Sequence, residues 1–382
     1  MKNTPFIFGK SSDSINFTDR EEEILRLEAN FRSLINTTII SPRRWGKTSL
    51  VAHVAKKIKE ENKNYRVCML DIFNVRSEAQ FYEYFAKEIL KAASSRWEEM
   101  ADNAKTFLSH LLPKITFSPD SQAEISFGVE WEALVKNPDE ILNLPETIAR
   151  EKKISVIVCV DEFQAIGGFS DSVAFQRKLR SHWQHHHNAA YCLYGSKRSM
   201  LMDIFSDPSM PFYRFGDIMF LQKIGNAKWG EFIKKRFEDT GKRISAEQAE
   251  YLAGLVDNHS YYVQQLAQQA WLRTRTSCSQ AIIDESLQSI KNQLSLLFVG
   301  RIEMMSGTQV NFLKAVLCGE TAFSAQENIK KYRTGSSANI KKIKYALVSQ
   351  EIIDISYQKV EILDPIFKLW LKEDYFKGSA GI

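Results

Sequence analysis

The chain has 382 residues, 44% hydrophobic, 25% charged and 12% aromatic, and its 51 lysines and arginines against 46 aspartates and glutamates give a formal charge of +5. This composition excludes a disordered or collagen-like chain, and the length asks for more than one average domain. The charge is modest for the size, so only local clustering could point to a nucleic-acid partner.

No apolar run reaches the roughly 18 residues that a membrane span needs, and the first residues lack the basic region and apolar core of a secretory signal. A cytoplasmic protein with no membrane partner is expected. Cys68, Cys159, Cys192, Cys278 and Cys318 are scattered, mostly in apolar surroundings such as VCML and VIVCV. They read as reduced core residues rather than a disulfide framework.

In chain order, short β-rich runs alternate with amphipathic stretches from about residue 36 to 200. The strands are predicted at TTII before Ser41, at 65–73, at 154–162 and at 190–196, with helices such as 49–60 and 78–93 between them. Such alternation predicts an α/β fold with a parallel sheet and crossover helices. Residues 114–128 read instead as two alternating strands around a Ser-Pro-Asp-Ser turn, a hairpin insertion. After Ile224 about 75 residues carry only helical patterns. From roughly Gly300, helices precede two alternating runs in EIIDISYQKVEIL, the order of a winged helix-turn-helix.

The chemistry concentrates in the first of these regions. Ser41-Pro42-Arg43-Arg44-Trp45-Gly46-Lys47-Thr48-Ser49 lies between a β run and a helix. There, loop N–H groups and a helix N-terminus can wrap phosphates. Gly46 allows close backbone approach, Lys47 reaches the β- and γ-phosphates, and Thr48 offers its hydroxyl to Mg²⁺. Ser41 stands where the P-loop pattern GxxxxGK[ST] has its first glycine, so a strained or altered turn is expected there.

The run ISVIVCVDEFQ is apolar enough to be buried on both faces and ends in Asp161-Glu162 at the ligand-binding edge of a parallel sheet. Asp161 is placed to hold Mg²⁺, and Glu162 to orient or deprotonate the attacking water. Ser196, at the tip of the next strand, is a candidate partner of the γ-phosphate or of that water. Arg180, Arg198 and Arg214 lie near element ends, and one of them could stabilise transition-state charge. The HWQHHHN stretch from His182 to Asn188 lacks metal-ligand spacing and reads as a solvent-facing loop or helix end. No GxSxG elbow supports a Ser/His/Asp hydrolase.

Together, FTDREEEI (17–24), SPRRWGKTSL (41–50), VCVDEFQ (158–164), LYGSKRSML (193–201), FYRFGDI (212–218) and DNHSYYVQQLAQ (257–268) resemble the archaeal-type predicted ATPases. These are AAA+-related P-loop proteins of the STAND group with a carboxy-terminal winged helix, and the resemblance covers nearly the whole chain. It implies a three-layer P-loop NTPase core over 1–223, a helical lid over 224–298 and a winged helix over 299–382. It also implies ATP and Mg²⁺ as ligands. Lys47, Thr48, Asp161 and Glu162 match the family's phosphate, metal and hydrolysis positions. Arg20 matches a segment that packs beside the nucleotide, and His259 a lid-helix position near it, with Ser260 replacing the family's proline. No strand-ending NKxD element is present, which favours ATP over GTP.

The carboxy-terminal module carries Lys330, Lys331, Arg333, Lys341, Lys342 and Lys344 between Asn328 and Gln350 with no acidic residue. A helix there puts Ile340, Ile343 and Leu347 on one face and lysines outward. The fitting partners are DNA, through weak contacts to phosphates, or a docked protein; a homo-oligomer is also admitted. The principal expectation is a slow ATPase acting as a nucleotide-driven switch. The alternatives are a nucleic-acid-binding regulator and a protein-interaction scaffold with a degenerate ATPase.

Overall fold

The computed structural model describes residues 4–9, 18–94, 99–100, 103, 106–107, 138–356 and 359–378. The hairpin expected at 114–128 lies outside the described residues. The chain divides into two compact units, Arg20–Gln222 and a second made of Met1–Asp19 with Lys223–Ile382.

The described elements of the first unit run α1 (Glu21–Arg32), β1 (Thr37–Ile40), α2 (Lys47–Glu61), β2 (Tyr65–Asp71), α3 (Glu78–Ala92) and α4 (Pro138–Lys152). They continue with β3 (Ser155–Asp161), a 3₁₀ turn (Phe163–Gly168), α5 (Ser172–Trp183), β4 (Ala189–Gly195), α6 (Arg198–Ser206) and β5 (Asp217–Phe220). The strands form one sheet in the order β2-β3-β4-β1-β5, all pairs parallel. All seven residues of β4 and the central five of β3 are buried. Helices therefore cover both faces, which is why these strands read as unbroken apolar runs.

Register brings the carboxyl ends level. Ile40 pairs with Gly195 on one side and Phe220 on the other, while Asp71 pairs with Asp161. The residues after β1, β3 and β4 thus emerge along one sheet edge, as the apolar strand pattern predicts. The fifth strand, β5, is an addition to that prediction: it is as short as β1 but only partly buried, where β1 is buried throughout.

The second unit comprises α7 (Asn226–Asp239), α8 (Ala246–Leu255), α9 (Ser260–Arg273), α10 (Gln280–Glu303), α11 (Gly307–Leu317), α12 (Gln326–Tyr332), α13 (Ser337–Ser349), strands β6 (Ile353–Ser356) and β7 (Lys359–Ile362), α14 (Pro365–Trp370) and a π turn (Leu371–Tyr375). Strands β6 and β7 pair antiparallel from Ile353↔Ile362 to Ser356↔Lys359.

Two of the expected domain boundaries fall differently. The first residues belong with the second unit, where Phe6 is fully buried and its ring lies 6.3 Å from Phe232 and 5.8 Å from Phe237. The boundary expected at 298/299 falls inside α10. Phe298 and Ile302 keep that helix packed, with the Phe298 ring 5.2 Å from Phe367 and 5.7 Å from Trp370. One hydrophobic core extends from Phe6 to Phe376, so the helices after Ile224 and the carboxy-terminal elements share their interior.

The histidine run is more deeply engaged than a solvent-facing end. Trp183 and Tyr191 are stacked 4.1 Å apart in the first core. His186 Nδ1 lies 2.8 Å from the Tyr191 hydroxyl and its Nε2 3.1 Å from Asn143 Oδ1. Burial pushes His186 down to about 4, leaving it neutral at ordinary pH. Glu146 of α4 pins the same turn by accepting the backbone N–H groups of His187, Asn188 and Ala189 and the Asn188 amide.

Burial opposes ionisation of Glu146, but these donors outweigh it and hold its carboxyl below the usual range. A lowered folded-state value means stability that is present above the ordinary carboxylate range and lost as pH falls through the lowered value. Glu146→Gln should therefore cost about 1–3 kcal/mol at neutral pH. In urea titrations the gap between variant and parent should close on acidification, and a gap independent of pH would refute this account.

Candidate functional site

The phosphate loop is built by burying its two ends. Strand β1 is buried throughout, and Ser41 and Pro42 continue inside before the chain turns outward at Arg43 and Arg44. The loop's left-handed residues are Arg44 (φ 64°) and Gly46 (φ 94°); Ser41 is not among them. The strain expected at Ser41 is thus absent, because the backbone demand falls further along. A Cβ at residue 46 would meet no protein atom within 4 Å, so within the protein it is the dihedral that calls for glycine there. The Ser41 hydroxyl donates to the Pro42 carbonyl (3.2 Å) and accepts from Lys47 Nζ (3.2 Å).

Lys47 begins α2 and is 6% exposed. Its ammonium donates to the carbonyls of Ser41 (2.9 Å) and Pro42 (2.8 Å), which places the charge in the arch of the loop beside the helix N-terminus. Arg20, 5% exposed, donates to the Trp45 carbonyl (3.3 Å) and the Gln222 carbonyl (2.8 Å) and pairs with Glu23 (2.7 Å). The arginine of the FTDREEEI segment is thus tied to the loop through the Trp45 carbonyl. Ser49 is buried on α2.

The Thr48 hydroxyl donates to Asp161 Oδ2 at 2.7 Å, joining the start of α2 to the end of β3. Asp161 Oδ1 accepts the N–H of Glu162 at 2.8 Å. Desolvation raises the Asp161 carboxyl to about 6, with repulsion from Glu162 and Asp71 adding to it and the two hydrogen bonds opposing. Glu162 has φ 55° and ψ 36°. Such a conformation costs a non-glycine residue about 1–3 kcal/mol and persists only where surrounding contacts enforce it. Glu162 Oε2 accepts the Ser196 hydroxyl (2.9 Å) and the Gln164 side-chain amide.

The structure thus gathers Ser41, Lys47, Thr48, Asp161, Glu162 and Ser196 at one sheet edge, with Arg20 and the loop residues Pro42 to Gly46 behind them. His259 belongs to the second unit. There it caps α9, lies 5.1 Å from the Tyr262 ring and lines a cavity of about 380 Å³ with Asp257 and Lys368. Of the three arginines, Arg180 donates to the Tyr213 carbonyl (3.3 Å) and sits 5.1 Å over the Phe215 ring. Arg214 sits 5.1 Å over Tyr213, and Arg198 opens α6. Sequence reasoning missed Gln164, Gly195 and Asp71; the signal for Asp71 was available, since it ends an apolar strand just as Asp161 does.

The arrangement offers a cation-lined loop and oxygen ligands. A hydroxyl and a carboxylate within hydrogen-bond reach suit Mg²⁺, which takes one or two protein oxygens and completes its shell with water and phosphate. Among the described residues there is no cluster of three or more histidine, cysteine or acidic side chains that would hold a metal by itself.

The sequence pattern of a family described as an ATPase domain predominantly from Archaea matches residues 17–266. No curated protein matches the chain. In fold, the chain is similar to the Walker-type ATPase PABY2304 of Pyrococcus abyssi, with TM-score 0.68, 16% identity, and 96% of this chain and 99% of that one covered. It is also similar to the Aeropyrum pernix ORC2 protein in its ADPNP-ADP complexes, with TM-score 0.59, 14% identity and 94% of each chain covered. The chain belongs to this family of ATPase domains, and its α/β core is of the AAA+-related P-loop type.

Asp161 supplies a test of the site's electrostatics. Its folded value of about 6 lies above its ordinary 3.8, so the ionised carboxylate opposes folding, fully above the folded value and not at all below the unfolded one. Asp161→Asn should stabilise the nucleotide-free protein by on the order of 2 kcal/mol at about pH 8 and leave it unchanged near about pH 3. Thermal unfolding at both pH values decides it; a variant less stable than the parent at the higher pH would contradict this reading.

Proposed function

We propose that the chain is an Mg²⁺-dependent ATPase whose slow turnover works as a conformational switch. The observation that carries this reading is the 2.7 Å bond between Thr48 and Asp161. It joins the Thr48 hydroxyl, next in the chain to Lys47, to the strand-end carboxylate that precedes Glu162, which supports reading them as parts of one site. Thr48 and Asp161 would hold Mg²⁺, which when bound neutralises charge on the phosphate oxygens.

Lys47 and the loop N–H groups bind and orient the β- and γ-phosphates. The Glu162 carboxylate orients a water and accepts its proton as the water oxygen bonds to the γ-phosphorus. The bond from that phosphorus to the bridging oxygen breaks, its electron pair leaves with ADP, and inorganic phosphate is the second product. Ser196 keeps Glu162 in place at the γ-phosphate end.

Hydrolysis assays with binding titrations of a fluorescent ATP analogue test this. Lys47→Ala should weaken nucleotide binding at least about tenfold. Glu162→Gln should bind as the parent does yet lose about 100-fold or more in kcat. Chelating Mg²⁺ should abolish turnover. A Lys47→Ala protein with parental affinity would remove the central assignment.

A second reading, DNA contact through the carboxy-terminal elements, is favoured by one face of α13. Ile340, Ile343 and Leu347 are buried, while Lys341 and Lys342 are exposed beside Tyr345, which is 79% exposed. Helices α11 to α13 followed by the β6–β7 ribbon support the winged-helix interpretation. Two of the six basic residues are diverted: Lys331 pairs with Glu320 at 2.8 Å, and Lys344 lies 4.9 Å over the Phe323 ring. Duplex affinity should fall with salt, and a Lys341→Ala/Lys342→Ala protein should show a log–log slope shallower by about 2. A slope near zero in the parent would exclude this contact.

A further inference from the structure

The two oxygens of the Glu162 carboxylate are not equivalent. Oε2 receives the Ser196 hydroxyl at 2.9 Å, the Ser196 backbone N–H at 3.5 Å and the Gln164 amide. For Oε1 there is no hydrogen-bond partner among the described residues. The donors come from two elements, the 3₁₀ turn after β3 and the tip of β4. The carboxylate is thereby held through one of its two oxygens.

We infer that Gln164 is a positioning residue for Glu162, and that Gly195 is a glycine in order to admit it. The inference rests on the reading of Glu162 as proton acceptor. Gln164 is 4% exposed, and its carboxamide oxygen finds no hydrogen-bond partner among the described residues. Turning the amide over would set that oxygen against the carboxylate, two acceptors facing each other, so the NH₂ group must point at Glu162. An unpartnered buried carbonyl is costly, which marks the orientation as imposed by the carboxylate.

Gly195 supplies the independent observation. Its backbone is not left-handed, so no dihedral calls for glycine. A Cβ there would instead overlap the Gln164 carboxamide oxygen, with Gln164 Cδ at 3.0 Å and Glu162 Cα at 3.2 Å. The missing side chain at the tip of β4 is the space that the Gln164 amide occupies. Residues 195 and 196 thus act on the same carboxylate, one by withdrawing and one by donating.

The test uses the full chain, with steady-state hydrolysis of Mg²⁺-ATP beside titration of a fluorescent ATP analogue. Gln164→Ala should lower kcat about tenfold or more while the analogue's Kd stays within about twofold. In a Glu162→Gln background the same substitution should cost nothing further, because the group it positions is gone. Gly195→Ala should reproduce the loss in the parent and add less than about twofold to Gln164→Ala.

A Gln164→Ala protein with parental kcat would overturn the inference. So would one whose affinity falls as much as its turnover, or one that slows Glu162→Gln further. If Glu162→Gln itself hydrolyses ATP at the parental rate, the functional reading fails first and takes this one with it.

Discussion

A single hydroxyl-to-carboxylate bond, Thr48 to Asp161, ties together parts of the chain that the fold must bring from opposite sides of β4. It exists only because β3 and β1 flank β4 in register, so that the first turn of α2 reaches the end of β3. That bond and the Glu162 N–H partly offset the cost of an acid at the end of a buried strand. Folding retains this carboxylate despite the cost, which is the pattern expected where stability is traded for a ligand site.

The strain at Glu162 belongs to the same trade. A left-handed backbone turns its carboxylate away from the strand direction and toward Ser196. Three neighbours then enforce the conformation: Asp161 through its Oδ1, Ser196 through its hydroxyl and Gln164 through its amide.

The loop and the acid-tipped strand were legible in the sequence because their requirements are local. Gly46, Lys47 and Thr48 sit between a short strand and a helix, and an unbroken apolar run can only be a covered strand. The part played by Gln164 was not legible, since it depends on β4 bringing residue 195 against residue 164, and no spacing rule encodes that contact. Strand β5 escaped because, unlike the equally short β1, it begins with an aspartate and is only partly buried. The limit at 298/299 rested on the change of pattern after Gly300, from helices alone to helices followed by two alternating runs, yet Phe298 and Ile302 continue the buried stripe of α10 across it. Phe6 gave no sign of its destination, because a lone phenylalanine near a terminus carries no address.

The unbroken course of α10 has a mechanical consequence. Its 24 residues make a rod of about 36 Å, with no proline in it to bend. Lys291, near its middle, is fastened to Glu373 (2.7 Å) and Asp374 (2.9 Å) of the terminal π turn. The helical segment and the carboxy-terminal helices are therefore mounted on one continuous rod, with no break in α10 at which the two could hinge.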